Sequence, residues 1–149
     1  MAALECAGVT AVTWNEAGYP AQLKEIADPP AVLFYKATLL PSDERSVAIV
    51  GTRSPTTYGR EAAALLSREL AQAGLTVVSG LALSIDGVAH RAALENAGRT
   101  IAVLAGGLDR VYPKDHTGLF AQIQEMGAVV SEHRWELDLT QEAFLGVTG

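Results

Sequence analysis

Val47-Ala48-Ile49-Val50-Gly51-Thr52-Arg53 is the stretch that decides the fold. Four consecutive apolar residues with no polar alternation suit a strand buried on both faces of a parallel sheet, and the glycine marks a tight exit from it. The same grammar returns three times. Leu75–Val78 ends in Ser79-Gly80, Ile101–Leu104 ends in Ala105-Gly106-Gly107, and Ala128–Val130 ends in Ser131-Glu132. Between these runs the spacing predicts helices over about Tyr58–Ala73, Ile85–Ala97 and His116–Met126, stopped by Gly74, Gly98 and Gly127. In the first helix, Ala62, Leu66, Leu70 and Ala73 recur at core-facing spacing, and Gly74 is placed to end it in a left-handed C′ conformation. Strand and helix alternate throughout. The expectation is a Rossmann-like α/β fold: a doubly wound, mostly parallel sheet with helices on both faces.

Upstream the pattern is less regular. Tyr19-Pro20 opens a short helical stretch to Ile26, Asp28-Pro29-Pro30 stops it, and Val32–Tyr35 reads as a strand. The composition shift at Pro41-Ser42-Asp43-Glu44 divides residues 1–44, an N-terminal extension packing on the main domain, from residues 45–149, the Rossmann-like domain. A chain of 149 residues fits one domain and buries roughly 70% of its unfolded surface, so it needs no covalent staple. Cys6 has no partner for an internal disulfide, and His90, His116 and His133 stand at no zinc-binding spacing. No metal or cofactor is expected. The amino-terminal stretch lacks a basic leader and no apolar run reaches bilayer length, so the expectation is a cytoplasmic protein with no membrane partner.

A net charge of -6 speaks against a nucleic-acid-like surface as a whole. Its distribution is uneven. Residues 45–114 carry eight basic side chains against five acidic ones, while both flanks are acidic. That asymmetry permits a local anion site.

Open parallel sheets bind ligands beyond the carboxyl ends of their strands, so the glycine-bearing loops are the candidate site. In the first loop, Gly51 to Arg60, glycine admits a close neighbour and Thr56 or Thr57 can cap the helix. There Arg53, Arg60 and the free N–H groups of the helix can cradle a phosphate. The loop is neither a GxGxxG fingerprint nor a Walker A loop. A capped turn with solvated arginines accounts for it equally well. The second loop, Ser79–Ser84, leads to Asp86 and, one turn on, His90; structural roles outweigh catalysis, because no nucleophile completes a triad. The third loop joins Gly106 and Gly107 to Tyr112 and Lys114, a stacking face and a point charge that suit single-stranded nucleic acid.

Taken in order, these motifs resemble the DprA/Smf family of DNA-processing proteins over about residues 19–132. The resemblance rests on Tyr19-Pro20-x-x-Leu23 with Asp28-Pro29-Pro30, on Val47–Arg53 with Tyr58-Gly59, on Ser79-Gly80-Leu81-Ala82 with Ile85-Asp86 and Ala89-His90, and on Leu104–Asp109 with Tyr112-Pro113. It implies an extended Rossmann fold and no established catalytic activity. It also implies single-stranded DNA binding at the strand ends, protection of incoming strands in natural transformation, and loading of the RecA recombinase. Carried over by position, Arg53 contacts phosphate, Gly51, Ser54, Gly59 and Gly80 supply close backbone, and Arg60 and Lys114 are weaker candidates.

The departures are specific. Leu83 and Ser84 stand where the family carries Arg-Gly, His116 stands where it carries asparagine, and the Phe-Pro-x-Arg-Asn-Arg stretch expected after Ser131-Glu132 is missing. The chain therefore reads as shortened. The family's RecA contact and homodimer depend on later parts of the fold, so neither is carried over. Two alternatives stand beside the DNA-binding reading. One is a nucleotide-binding or nucleotide-hydrolysing protein of the lonely-guy type, whose Pro-Gly-Gly-x-Gly-Thr-x-x-Glu loop has no counterpart here. The other is a fragment without independent activity, its unpaired sheet edge open to association.

Overall fold

The computed structural model describes residues 8–81, 84–108 and 117–133. The elements, in chain order, are β1 (Val9–Thr13), α1 (Ala21–Lys24), β2 (Val32–Ala37), a 3-10 turn (Pro41–Glu44), β3 (Ser46–Ala48), α2 (Thr57–Gln72), β4 (Thr76–Ser79), α3 (Ile85–Glu95), β5 (Thr100–Leu104), α4 (Thr117–Met126) and β6 (Ala128–Ser131). Among the described residues six strands form one sheet in the order β1-β2-β6-β5-β4-β3. β3 to β6 are parallel, with Val47 opposite Val77, Val78 opposite Ile101 and Ala102 opposite Val129. β2 joins β6 antiparallel and β1 closes that side as a hairpin. The Rossmann-like, mostly parallel α/β sheet expected from the apolar runs is the fold observed.

Side-chain alternation sorts the core into two layers. Ala102, Leu104 and Val129 turn toward α4 and pack with Leu119, Phe120 and Ile123. Val77 packs on the same side with Ala71, Ala89 and Ala93, which joins α2 and α3. Ile101, Ala128 and Val130 point to the opposite face, where Tyr19, Leu23 and Leu39 cover them. The long helices thus share one face, and the segment carrying α1 lies over part of the other. The parallel strands follow one another without a reversal of order, which is one wing of a doubly wound sheet.

Three readings of the sequence need correction. β3 is not buried on both faces: it forms a margin of the sheet, with Val47 39% and Val50 75% exposed. α2 does not bury Ala62, Leu66, Leu70 and Ala73. It buries Ala63, Ser67 and Ala71, and Leu66 is 54% exposed. Small side chains prevail there because α2 and α3 pack closely, and an added Cβ on Gly98 would strike Ala71. Nor does Gly98 end α3 by a left-handed turn, since Ala97 takes the positive φ of 55°. Gly74, with φ 82°, ends α2 as expected.

One polar cluster fixes the amino-terminal segment to the sheet. Arg99, beside β5, donates from Nε to Asp43 Oδ1 at 2.5 Å and from its terminal nitrogen to Asp43 Oδ2 at 2.8 Å and to the Thr38 carbonyl. Thr76 Oγ1 and the Leu40 N–H donate to the same carboxylate at 3.0 and 2.8 Å. Burial alone would raise the pKa of Asp43, but these hydrogen bonds and the Arg99 charge outweigh it and hold the carboxyl below its ordinary value of 3.8.

Candidate nucleic-acid interface

The carboxyl ends of β3, β4 and β5 open on one rim, and the local chemistry explains its shape. Beyond β3 the chain runs to α2, whose N-cap is Thr56: its Oγ1 accepts from the Gly59 N–H at 3.0 Å. Ahead of it Thr52 Oγ1 accepts from the Ser54 N–H at 3.2 Å, which curls the loop. The first turn of a helix leaves N–H groups facing outward, the usual setting for an anion. Gly51, Arg53, Ser54 and Arg60 are exposed on this loop and Gly59 is half-buried.

The floor of the rim is built by contact. A Cβ on Gly51 would sit 2.8 Å from the side chain of Ile85, and one on Gly80 would sit 2.8 Å from Asp86 Oδ2. The start of α3 is therefore pressed against both strand exits; a Cβ at Gly51 would displace Ile85 at its branch point, and one at Gly80 would displace the Asp86 carboxylate. Asp86 is buried in the first turn of α3, where the helix dipole favours a carboxylate. Ser84 bridges the first two loops, with its Oγ donating to the Arg53 carbonyl at 2.7 Å. It holds φ 77° and ψ −109°, a conformation that glycine adopts more readily than serine.

His90 closes the floor from beneath. Its Nε2 lies 2.6 Å from the Gly80 carbonyl and its Nδ1 lies 2.6 Å from Thr100 Oγ1, whose hydroxyl also reaches the Val77 carbonyl at 2.9 Å. A carbonyl only accepts, so Nε2 carries a hydrogen. The ring is fully buried and spans β4 and β5, which makes it a tie between strands rather than a group facing a substrate. Sequence reading paired His90 with Asp86 and missed Thr100, a threonine at a strand start that carries no signal of its own.

The third loop is held at its base, where Ser131 Oγ donates to the Gly106 carbonyl at 2.6 Å. Gly106 is half-buried and Gly107 buried. Tyr112 and Lys114 lie outside the described residues. Of the basic central segment, Arg53 and Arg60 come to the rim. Arg99 is engaged with Asp43 at the opposite end of the strands, and Arg68 and Arg91 are exposed along α2 and α3. The charge that looks continuous in sequence is dispersed in space. Arg53 is exposed, and the ion pair found among the described residues is that of Arg99 with Asp43. Among the described residues no group of three or more His, Cys, Asp or Glu side chains is placed to hold a metal, and no helix is long and apolar enough to cross a membrane.

A mostly parallel sheet with an open, glycine-floored rim at its strand ends places the molecule among Rossmann-like α/β binding folds. The DNA processing protein DprA of Bacillus subtilis is 41% identical over 134 residues, 89% of this chain but 45% of its own length. Protein Smf of a Synechocystis species is 43% identical over 126 residues, 82% of this chain and 32% of its own. Among solved structures, DprA of Streptococcus pneumoniae superposes with a TM-score of 0.76 at 38% identity, over 89% of this chain and 47% of its own. DNA processing protein A of Helicobacter pylori, solved for its single-stranded DNA binding mode, gives 0.70 at 31% identity, over 85% of this chain and 57% of its own. The model of the DNA recombination-mediator protein A family matches residues 10–146, and the chain belongs to that family. It spans less than half the length of the curated relatives it matches.

Proposed function

We propose that this chain binds single-stranded DNA in the cytoplasm and serves DNA processing and recombination during natural transformation. In this reading Arg53, with Arg60 beside it, pairs with phosphates at the rim. The exposed backbone of Gly51 and Ser54, with Gly59, Gly106 and Gly107, offers the strand a close approach, Gly80 admits the start of α3 that supports it, and Tyr112 and Lys114 are assigned to the track for stacking and charge. The observation that carries it is the exposed Arg53 on the strand-end loop, its carbonyl held by Ser84 at the start of α3. The Helicobacter pylori relative, whose structure concerns single-stranded DNA, supports the ligand class. Membership in a recombination-mediator family supports the recombination role.

Binding without catalysis is the reading the rim favours. His90 and Asp86 are the strongest acid-base candidates, and both are buried beneath the loops rather than presented to them. The test is fluorescence anisotropy with a labelled oligonucleotide at rising salt. Affinity should fall as salt rises, and Arg53→Ala should weaken binding about tenfold and reduce the salt slope by about one. Affinity that ignores both salt and Arg53→Ala would refute the assignment.

A further inference from the structure

Six of the described residues are aromatic, and five of them have an evident place in the fold. Tyr19 and Phe120 are buried in the two core layers, and Phe34 and Tyr35 pack against those layers. Trp14 has the Lys24 ammonium 5.5 Å from its ring centre. Tyr58 is the exception. It is 79% exposed, and neither a ring contact nor a side-chain hydrogen bond engages it among the described residues.

A single exposed aromatic ring is ordinary on a protein surface, so its position has to carry the argument. Tyr58 is the second residue of α2. Helical side chains lean toward the amino-terminal end of their helix, so a ring this early leans over the strand-end loop rather than along the helix. That loop carries the exposed Arg53 and Ser54, and the exposed Arg60 follows two residues after the ring. The mounting is firm. Thr56 Oγ1 accepts from the Gly59 N–H at 3.0 Å and the Thr56 carbonyl accepts from the Arg60 N–H at 3.1 Å, which fixes the turn that bears the ring.

Charge at the rim does not by itself select a single strand. Arginines pair with phosphates, and a duplex presents phosphates more densely than a single strand does. What a single strand adds is unpaired bases, whose faces stack on an aromatic ring whatever their sequence. We propose that Tyr58 is a base-stacking residue: one base of the bound strand lies on its ring while Arg53 holds a neighbouring phosphate, and this contact makes the rim prefer single-stranded to duplex DNA. The inference rests on the DNA-binding function proposed above. It places the discrimination at the junction of the first loop with α2, independently of Tyr112 in the third loop. Stacking uses the face of the ring and not its hydroxyl, so phenylalanine serves in its place.

Fluorescence anisotropy of the 149-residue chain with three labelled probes of one length separates the ring from the charge: an oligothymidylate, an abasic strand and a duplex. Tyr58→Ala should weaken thymidylate binding about tenfold, within the range that stacking of one base supplies, and leave the salt slope unchanged. Tyr58→Phe should stay within about twofold of the native chain. The abasic strand keeps the phosphates and has no faces to stack, so it should bind the native chain and Tyr58→Ala alike, as should the duplex. Circular dichroism should be the same for all three proteins, because the side chain is exposed. Thymidylate binding that Arg53→Ala weakens and Tyr58→Ala does not would overturn the stacking role and leave the DNA-binding function standing. Equal losses on the thymidylate and abasic strands would also overturn it, because the ring would then support the loop rather than a base. No binding of any probe by the native chain at low salt would defeat the DNA-binding function itself, and the stacking role with it.

Discussion

The two margins of the sheet are built on opposite terms. At one, β1 and β2 turn antiparallel and their core residues Val12, Leu33 and Val9 are buried. At the other, β3 ends the parallel array with valines on view, and it is held at its entry, where Asp43 in the preceding turn bonds Arg99 and Thr76. An antiparallel hairpin can finish a sheet, because one of its faces tolerates water; a parallel strand cannot do so as readily. The rim holding Arg53 rises from the exit of this open margin, where Ser79 and Ser84 hold the Ile49 and Arg53 carbonyls.

The sharpest way to test this contrast is to unfasten the entry to β3. Asp43→Ala should cost about 2–4 kcal/mol in urea unfolding, because it strands a half-buried guanidinium and a threonine hydroxyl. The same fastening sets an acid limit. The folded-state pKa of Asp43 is depressed, so its stabilisation is present above the ordinary carboxylate value and is lost as pH falls through the lower, folded value. Thermal melts from pH 6 downward should fall more steeply for the native chain than for Asp43→Asn.

Smaller effects belong to the far end of the same strand. Ser84→Gly should raise stability by about 0.5–1 kcal/mol. It relieves the positive φ of 77°, and the lost hydroxyl contact with the Arg53 carbonyl offsets part of the gain. A decrease in melting temperature would show that the bridge between the loops outweighs the backbone strain. Val50→Thr should lie within about 0.5 kcal/mol of the native chain, because the side chain has little cover to lose. A large loss there would mean that the margin is already covered.

The sequence made the alternation of strands and helices plain, because continuous apolar runs ending in glycine leave little choice of element. β1 escaped notice. Val9–Thr13 is short and mixed, and its strand character comes from pairing with β2 rather than from its own residues. The face of α2 was misjudged for a physical reason: an apolar stripe records which surface is meant to be covered, whereas close helix pairing selects alanine and serine, which carry no strong signal. The rim was legible in its glycines and in Arg53. Its floor was not, because the contact of Ile85 with Gly51 joins residues distant in sequence. Arg99 read as part of a basic segment, and its engagement with Asp43 shows that charge counted along a chain says little about charge gathered in space.

Amide chemical shifts followed by NMR during titration with a short oligothymidylate locate the ligand directly. Shifts concentrated at residues 51–60, at Gly80 and at the start of α3, and lost with Arg53→Ala, are the result expected. Shifts spread along the outer faces of α2 and α3, around Arg68 and Arg91, with the strand-end loops silent, would contradict it.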